Sequence, residues 1–297
     1  MGNKQARPAP CILVTGANSA IGTAVIRAVK TLCPDATVRA GVRVIQQNAF
    51  ADSDVHVVVL DTSNVETLST AFSGVNRVFI TTPTENRVET TLKMAQAAKD
   101  ANVDSIVYVS SMILKCSEYP SAVEFQEMEL QMAALDIQAV ALRCGLLMEN
   151  MVTLNLEHIR CRDLLKLPCL PRTEIAQIAA ADVARAAAKI LLRPKRFKRR
   201  HYSLTGPAAI SCERIVSSLS AALSRTVQFR TMPFEVICEE WIENGVRASV
   251  AKSLMEHYKA AERNVVLRRV TKDVQRITGK RPLNTSVWIR DHVQLFL

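Results

Sequence analysis

Short, almost uninterrupted apolar runs alternate with stretches of helical periodicity along the first two thirds of the chain. The runs are residues 11–14, 37–43, 55–60, 77–82, 105–111 and 137–142. Runs of this length without polar alternation predict strands buried on both faces. Between them, residues 65–72, 85–102 and 123–135 carry apolar side chains at helical spacing, as in Val88, Leu92, Ala95 and Ala98. A helix over 180–192 and a strand over 201–205 continue the alternation. The pattern predicts an α/β fold, a doubly wound parallel sheet covered by helices on both faces.

The last third changes character. Ser211 stands as the N-cap of a helix whose apolar face is Ile215, Leu219 and Leu223. A short strand over 226–232 follows. Helical stretches at 233–244, 250–261, 271–278 and 286–296 are punctuated by Gly245, Gly279 and Pro282. We expect a domain of residues 1–206 holding the sheet, and a smaller, mainly helical cap of residues 207–297 that forms a substrate domain.

The first run ends in a glycine turn that opens a helix: Gly16, Ala17, Asn18, Ser19, Ala20, Ile21, Gly22. Such a turn aims backbone N–H groups and the positive end of a helix dipole at one point, the arrangement that holds a dinucleotide pyrophosphate in a Rossmann fold. Gly16 serves the sharp turn and Gly22 the close approach of helix to strand. The usual middle glycine is absent, its place taken by Ser19 or Ala20 according to the template used. An NAD site carries an acid about 20 residues beyond the turn. Here the second strand ends in Arg43, with no acid beside it, which points to a ribose 2′-phosphate and hence to NADP(H). In such sheets ligands lie at the carboxyl ends of the strands. That places Asp61 and Thr62 near the adenine, Thr81, Thr82 and Pro83 near the ribose, and Ser110 and Ser111 near the nicotinamide.

Charge and cysteine content narrow the picture. The net charge is +10, and much of the excess sits in the run from Arg193 to Arg200. Only one aromatic residue, Phe197, interrupts that run, so it reads as a solvated loop between helix and strand and not as a nucleic-acid surface. The eight cysteines are scattered and include no C-x-x-C pair. His158, Cys161 and Cys169 lack a fourth ligand at zinc spacing, so no metal is expected. Buried, reduced thiols suit a cytoplasmic protein. No apolar run approaches the ~20 residues needed to span a bilayer. Residues 1–6 depart from an N-myristoylation start at Ala6.

Further segments carry a family likeness. They are Val38-Arg39-Ala40-Gly41-Val42-Arg43, Gly74-Val75-Asn76-Arg77-Val78-Phe79-Ile80-Thr81-Thr82-Pro83, and Leu142-Arg143-Cys144-Gly145-Leu146-Leu147-Met148-Glu149-Asn150. Ala181-Asp182-Val183-Ala184, Tyr202-Ser203-Leu204-Thr205-Gly206-Pro207 and Thr278-Gly279-Lys280-Arg281-Pro282 continue it in the same order. With the glycine turn, these make the chain resemble the NmrA-like group of atypical short-chain dehydrogenases/reductases over nearly its whole length. The resemblance implies an NADP(H)-binding Rossmann domain and a C-terminal substrate domain. It implies NADPH-dependent reduction of a small electrophile, quinone- or imine-like. The alternative within the same group is a non-catalytic NADP(H) redox sensor acting through a protein partner. Residues 143–150 would line the cleft between domains, with Met112, Leu147 and Met148 toward substrate and Ser111 and Asn150 as catalytic candidates. Two departures stand out. Tyr119 is followed four places later by Val123, so no Tyr-x-x-x-Lys pair exists, and residues 124–129 hold neither Lys nor His.

Overall fold

The computed structural model describes residues 9–44, 50, 54–263 and 265–297; the N-terminal hexapeptide lies outside them. In chain order the first strands are β1 (Cys11–Thr15), β2 (Thr37–Val42), β3 (His56–Val59), β4 (Arg77–Ile80), β5 (Ser105–Ser111) and β6 (Gln138–Cys144). Then come β7 (Leu164–Leu167), β8 (Glu174–Ile175), β9 (His201–Leu204), β10 (Ile210–Ser211) and β11 (Gln228–Thr231). The main sheet runs β3-β2-β1-β4-β5-β6-β9, every pair parallel. The strand order reverses between β1 and β4, the switch point at which such sheets bind ligands.

The helices are α1 (Ala20–Leu32), α2 (Val65–Phe72), α3 (Arg87–Asp100), α4 (Pro120–Ala134), α5 (Asn150–Arg162) and α6 (Ala180–Leu192). They are followed by α7 (Cys212–Leu223), α8 (Phe234–Glu243), α9 (Ala248–Arg263), α10 (Asp273–Thr278) and α11 (Thr285–Asp291). Side-chain alternation along the strands divides the core between two faces. Ile12, Val14, Phe79, Val107 and Leu142 meet α1 and α6. Leu13, Val78, Ile80, Ile106 and Tyr108 meet α2, α3 and α4. α6 lies close to α1 because its buried positions include Ala184, Ala187 and Ala188. Each fully buried Val, Leu or Ile in these layers contributes about 1.5–3 kcal/mol relative to exposure.

The apolar periodicity of residues 150–175 is weak, and the sequence pattern leaves them unassigned. They form α5, β7 and β8, and their partners come from the C-terminal third. β7 pairs with β11, β8 pairs with β10, and His158 Nε2 of α5 lies 2.6 Å from Glu240 Oε1 of α8. The boundary expected at Gly206 would leave these three elements with the main sheet. In the opposite direction, α10 packs on α6 and β9, and Asp273 accepts from the backbone N–H of Ser203 at 3.1 Å. The strand expected over 77–82 ends at Ile80, so Thr81, Thr82 and Pro83 lie in the connection. The helix expected over 286–296 stops at Asp291 and finishes as a 3₁₀ turn, Val293–Leu295. Trp241 is buried in the packing of α8 against α9, its ring 6.0 Å from that of Tyr258. Among the described residues no helix is long and apolar enough to cross a membrane, and no group of three or more His, Cys, Asp or Glu is placed to hold a metal.

Candidate active site

β1 delivers the chain into a turn that admits no side chain at two points. Gly16 has φ +56°, and a Cβ there would lie 2.8 Å from Thr81 Cγ2 and 2.9 Å from the Thr81 carbonyl oxygen. At Gly22 a Cβ would stand 2.3 Å from the Gly16 carbonyl oxygen. Glycine is the residue that satisfies both constraints. Thr15 Oγ1 ties the turn to the end of β4, donating to the Thr81 carbonyl and accepting from the Thr81 N–H, both at 3.1 Å. Of the two residues that stand for the missing middle glycine, Ser19 is the N-cap and Ala20 the first helical residue. Ser19 Oγ accepts from the Gly22 N–H at 3.0 Å, which leaves its own hydrogen free to donate. The N–H groups of Ala20 and Ile21 have no intrahelical acceptor, and the helix dipole adds positive potential there. A cavity of about 620 Å³ opens beside the turn, lined by Asn18, Ser19, Ala20 and Thr23 with Asp182 and Arg185 of α6.

Arg43 follows β2 directly and is exposed. Its charge acts on two carboxylates at the same edge. Asp61 is held below the usual carboxylate range first by the Ser63 N–H and hydroxyl, at 2.9 and 2.7 Å, and then by Arg43. Glu85, in the β4–α3 connection, is held low first by the Ser249 hydroxyl, with Arg247 and Arg43 adding to it. Thr62, Thr81, Thr82 and Pro83 are half-buried around these groups, and Thr82 Oγ1 lies 3.4 Å from Thr91 Oγ1.

α9 roofs the other half of this edge. Its start is anchored to Glu85 through Ser249 of the first turn and through the preceding Arg247, at 3.0 Å. Its middle meets the start of α4, where Glu256 accepts from the Ser121 N–H at 2.9 Å and Ser253 Oγ lies 3.1 Å from Ser121 Oγ. Farther along, His257 meets Ser111. His257 Nδ1 lies 2.7 Å from the Ser253 carbonyl and must carry the hydrogen, because a carbonyl only accepts. Nε2 is therefore the acceptor for the Ser111 hydroxyl, at 2.8 Å. Ser111 Oγ in turn accepts from the Ile113 N–H at 3.2 Å. Burial pushes the His257 pKa down to about 4, so the imidazole is neutral at neutral pH.

The remaining candidates are distributed differently. Ser110, one residue earlier on β5, turns to the α4 side and donates to Glu129 Oε1 at 2.5 Å. Glu129 also takes Arg143 through two nitrogens, at 2.9 Å from Nε and 2.6 Å from Nη2. The hydroxyl expected beside a nicotinamide is thus held by a half-buried ion pair, of which Arg143 of the expected cleft wall is one member. Met148 and Met112, the latter beside Ser111, are both buried in the core. Leu147 and Asn150 are half-buried, Asn150 as the first residue of α5. Glu149 accepts from the Ala180 N–H and anchors the start of α6. His257 escaped the sequence reading because it belongs to no motif. The available signal was a polar residue on the apolar face of a helix, next to Tyr258.

Comparison with known proteins supports one lineage. The model of the NmrA-like family matches residues 9–276. An NAD(P)H azoreductase of Xenophilus azovorans is 27% identical over 290 residues, covering 96% of this chain and 99% of that one. An NADPH-dependent quinone oxidoreductase of Escherichia coli, solved with NADPH, superposes with a TM-score of 0.79 at 22% identity over 95% of this chain and 99% of its own. NmrA, a negative transcriptional regulator solved with NAD, superposes with a TM-score of 0.73 at 19% identity over 96% and 95%. These two structures share the fold.

Proposed function

The chain belongs to the NmrA-like family, and from that premise we propose that it is an NADPH-dependent oxidoreductase reducing a small electrophile of quinone or imine type. The observation that carries the reading is the glycine turn at the switch point, closed to any Cβ at Gly16 and Gly22 and followed by Arg43 where an NAD site would carry an acid. The azoreductase relative and the NADPH-bound quinone oxidoreductase neighbour support the same cofactor and reaction class. The dinucleotide, when bound, supplies the hydride.

The chain's own residues hold and shield. The free N–H groups of Ala20 and Ile21 and the Ser19 hydroxyl suit the pyrophosphate, and Arg43 the 2′-phosphate. Thr81, Thr82 and Pro83 flank the ribose position. α9 excludes water above β4 and β5, which strengthens every polar interaction beneath it. The neutral His257 orients the Ser111 hydroxyl and is no acid at neutral pH, so the acceptor's proton comes from water. Quinones and imines tolerate this, which fits the missing Tyr/Lys pair.

A second reading is a non-catalytic NADP(H) sensor signalling through a protein partner. The observation favouring it is the same Ser111–His257 pair, buried under α9 with a neutral imidazole. One experiment separates the two: NADPH absorbance followed over a panel of quinones, imines, enones and aldehydes, beside a binding titration. Oxidation that depends on Ser111 or Asn150 establishes the reductase. Tight NADPH binding without oxidation above background establishes the sensor.

A further inference from the structure

On the α4 side of the sheet, helical cover stops short of the β9 edge. There, a 3₁₀ turn (Met112–Lys115) and the connection into α10 enclose a cavity of about 740 Å³ over β6 and β9. The charged side chains of its lining are almost all cationic. Lys115 comes from the 3₁₀ turn, Arg268, Arg269 and Lys272 from the connection, and Arg143 and Arg199 from the sheet edge. Among the described residues, Asp273 is the one carboxylate of the lining. It is already engaged by Arg276 at 3.0 Å, by Arg199 at 3.5 Å and by the Ser203 N–H at 3.1 Å. Arg143 is held by Glu129. Lys115, Arg268, Arg269 and Lys272 have no carboxylate within ion-pair distance among the described residues. The field is felt at His201 in the same wall, whose pKa is lowered by burial first and then by Arg143 and Lys115.

Four unneutralised cations around one concavity repel one another, and an anion placed among them relieves that repulsion. The concavity has the volume of a small-molecule site. Among the described residues no Phe, Tyr or Trp lines it, so they offer none of the base-stacking platform of single-stranded nucleic acid binders. It is also remote from the glycine turn. β1 and β9 are four strand spacings apart in the sheet order, about 19 Å.

We propose that this cavity is a second ligand site, for a small molecule carrying two or more phosphate groups, held by Lys115, Arg268, Arg269 and Lys272. Met112, expected toward substrate, lines it too, and phosphate binding there requires no reductase activity. The test is calorimetric titration of the full chain with inorganic triphosphate, alone and with NADPH in excess. Two triple variants are compared, each removing three positive charges. Arg268→Ala/Arg269→Ala/Lys272→Ala alters the cavity. Arg193→Ala/Lys195→Ala/Arg196→Ala alters exposed residues of the basic run outside it. Thermal melts establish that both fold, and Lys115→Glu provides a second cavity variant. The expected result is one saturable site, weakened about tenfold or more by the cavity variants, unchanged in the control triple and indifferent to NADPH. Absence of saturable binding, equal weakening in both triples, or displacement by NADPH would each overturn the proposal. So would binding of a short DNA duplex that both triples weaken alike, which would assign the charge to nucleic acid. The contrast between the triples holds whether or not the chain binds the dinucleotide.

Discussion

The two halves of the sheet's carboxyl edge are built by different means. At β1 the site is made of backbone: a turn, a cap and a helix terminus within a dozen residues, with Arg43 added after β2. At β4 and β5 it is made of side chains that meet across the chain. Ser121 and Ser253 are 132 residues apart, Ser111 and His257 are 146 apart, and Glu85 and Ser249 are 164 apart. The first half is rigid because a glycine turn has one way to close. The second is rigid only while α9 stays docked. α9 is held there by these polar ties and by the burial of Ala251, Tyr258, Ala260 and Ala261 in the core.

The largest effect that would break this contrast is expected at Gly22. Gly22→Ala puts a methyl 2.3 Å from a backbone carbonyl that has no room to move. We expect a stability loss of about 3 kcal/mol or more in urea titration, and loss of NADPH binding. Arg43→Ala comes next. It should weaken NADPH by about 1.5–3 kcal/mol and leave NADH nearly unchanged. Equal losses for the two nucleotides would remove the 2′-phosphate from Arg43.

The roof is tested by pH. His257 titrates at about 4 in the fold against an ordinary value of 6.5, so between those values the unfolded chain binds the extra proton. Stability from this group is therefore present above pH 6.5 and lost as pH falls toward 4. From pH 7 to pH 5 the loss should be about 2 kcal/mol, and His257→Gln should flatten that part of the profile in urea denaturation. A profile that is the same in the variant would show that the imidazole is not buried against Ser111. The smallest effect belongs to Glu85. Glu85→Gln weakens an exposed tie and should change global stability by less than about 1 kcal/mol. Amide exchange in the first turns of α9 should nevertheless quicken, while that of α1 does not.

Legibility followed the same division. The spans of α2, α6 and β5 were readable to the residue, because continuous apolar runs and helical spacing are local properties of the chain. Ser211 as the cap of α7 was readable for the same reason. Residues 150–175 were not, since α5 carries only a weak apolar stripe and β7 becomes a strand by pairing with β11, some 60 residues on. Ser110 and Ser111 show the limit at a single step. Both lie at the end of β5 as expected, yet pleating sends one hydroxyl to Glu129 and leaves the other to His257.

The order of strands and helices, the glycine turn and the arginine after β2 are written in neighbouring residues, where the preference of each residue for turn, strand or helix decides the outcome. The sequence by itself determined these, and with them the family. Only the tertiary structure decided which helix covers the β4–β5 half of the edge and that its histidine is buried against Ser111. It alone gathered cations from residues 115 to 276 around one cavity at the sheet edge. These depend on distances between residues more than a hundred positions apart, and on the water excluded between them, and no local pattern encodes either.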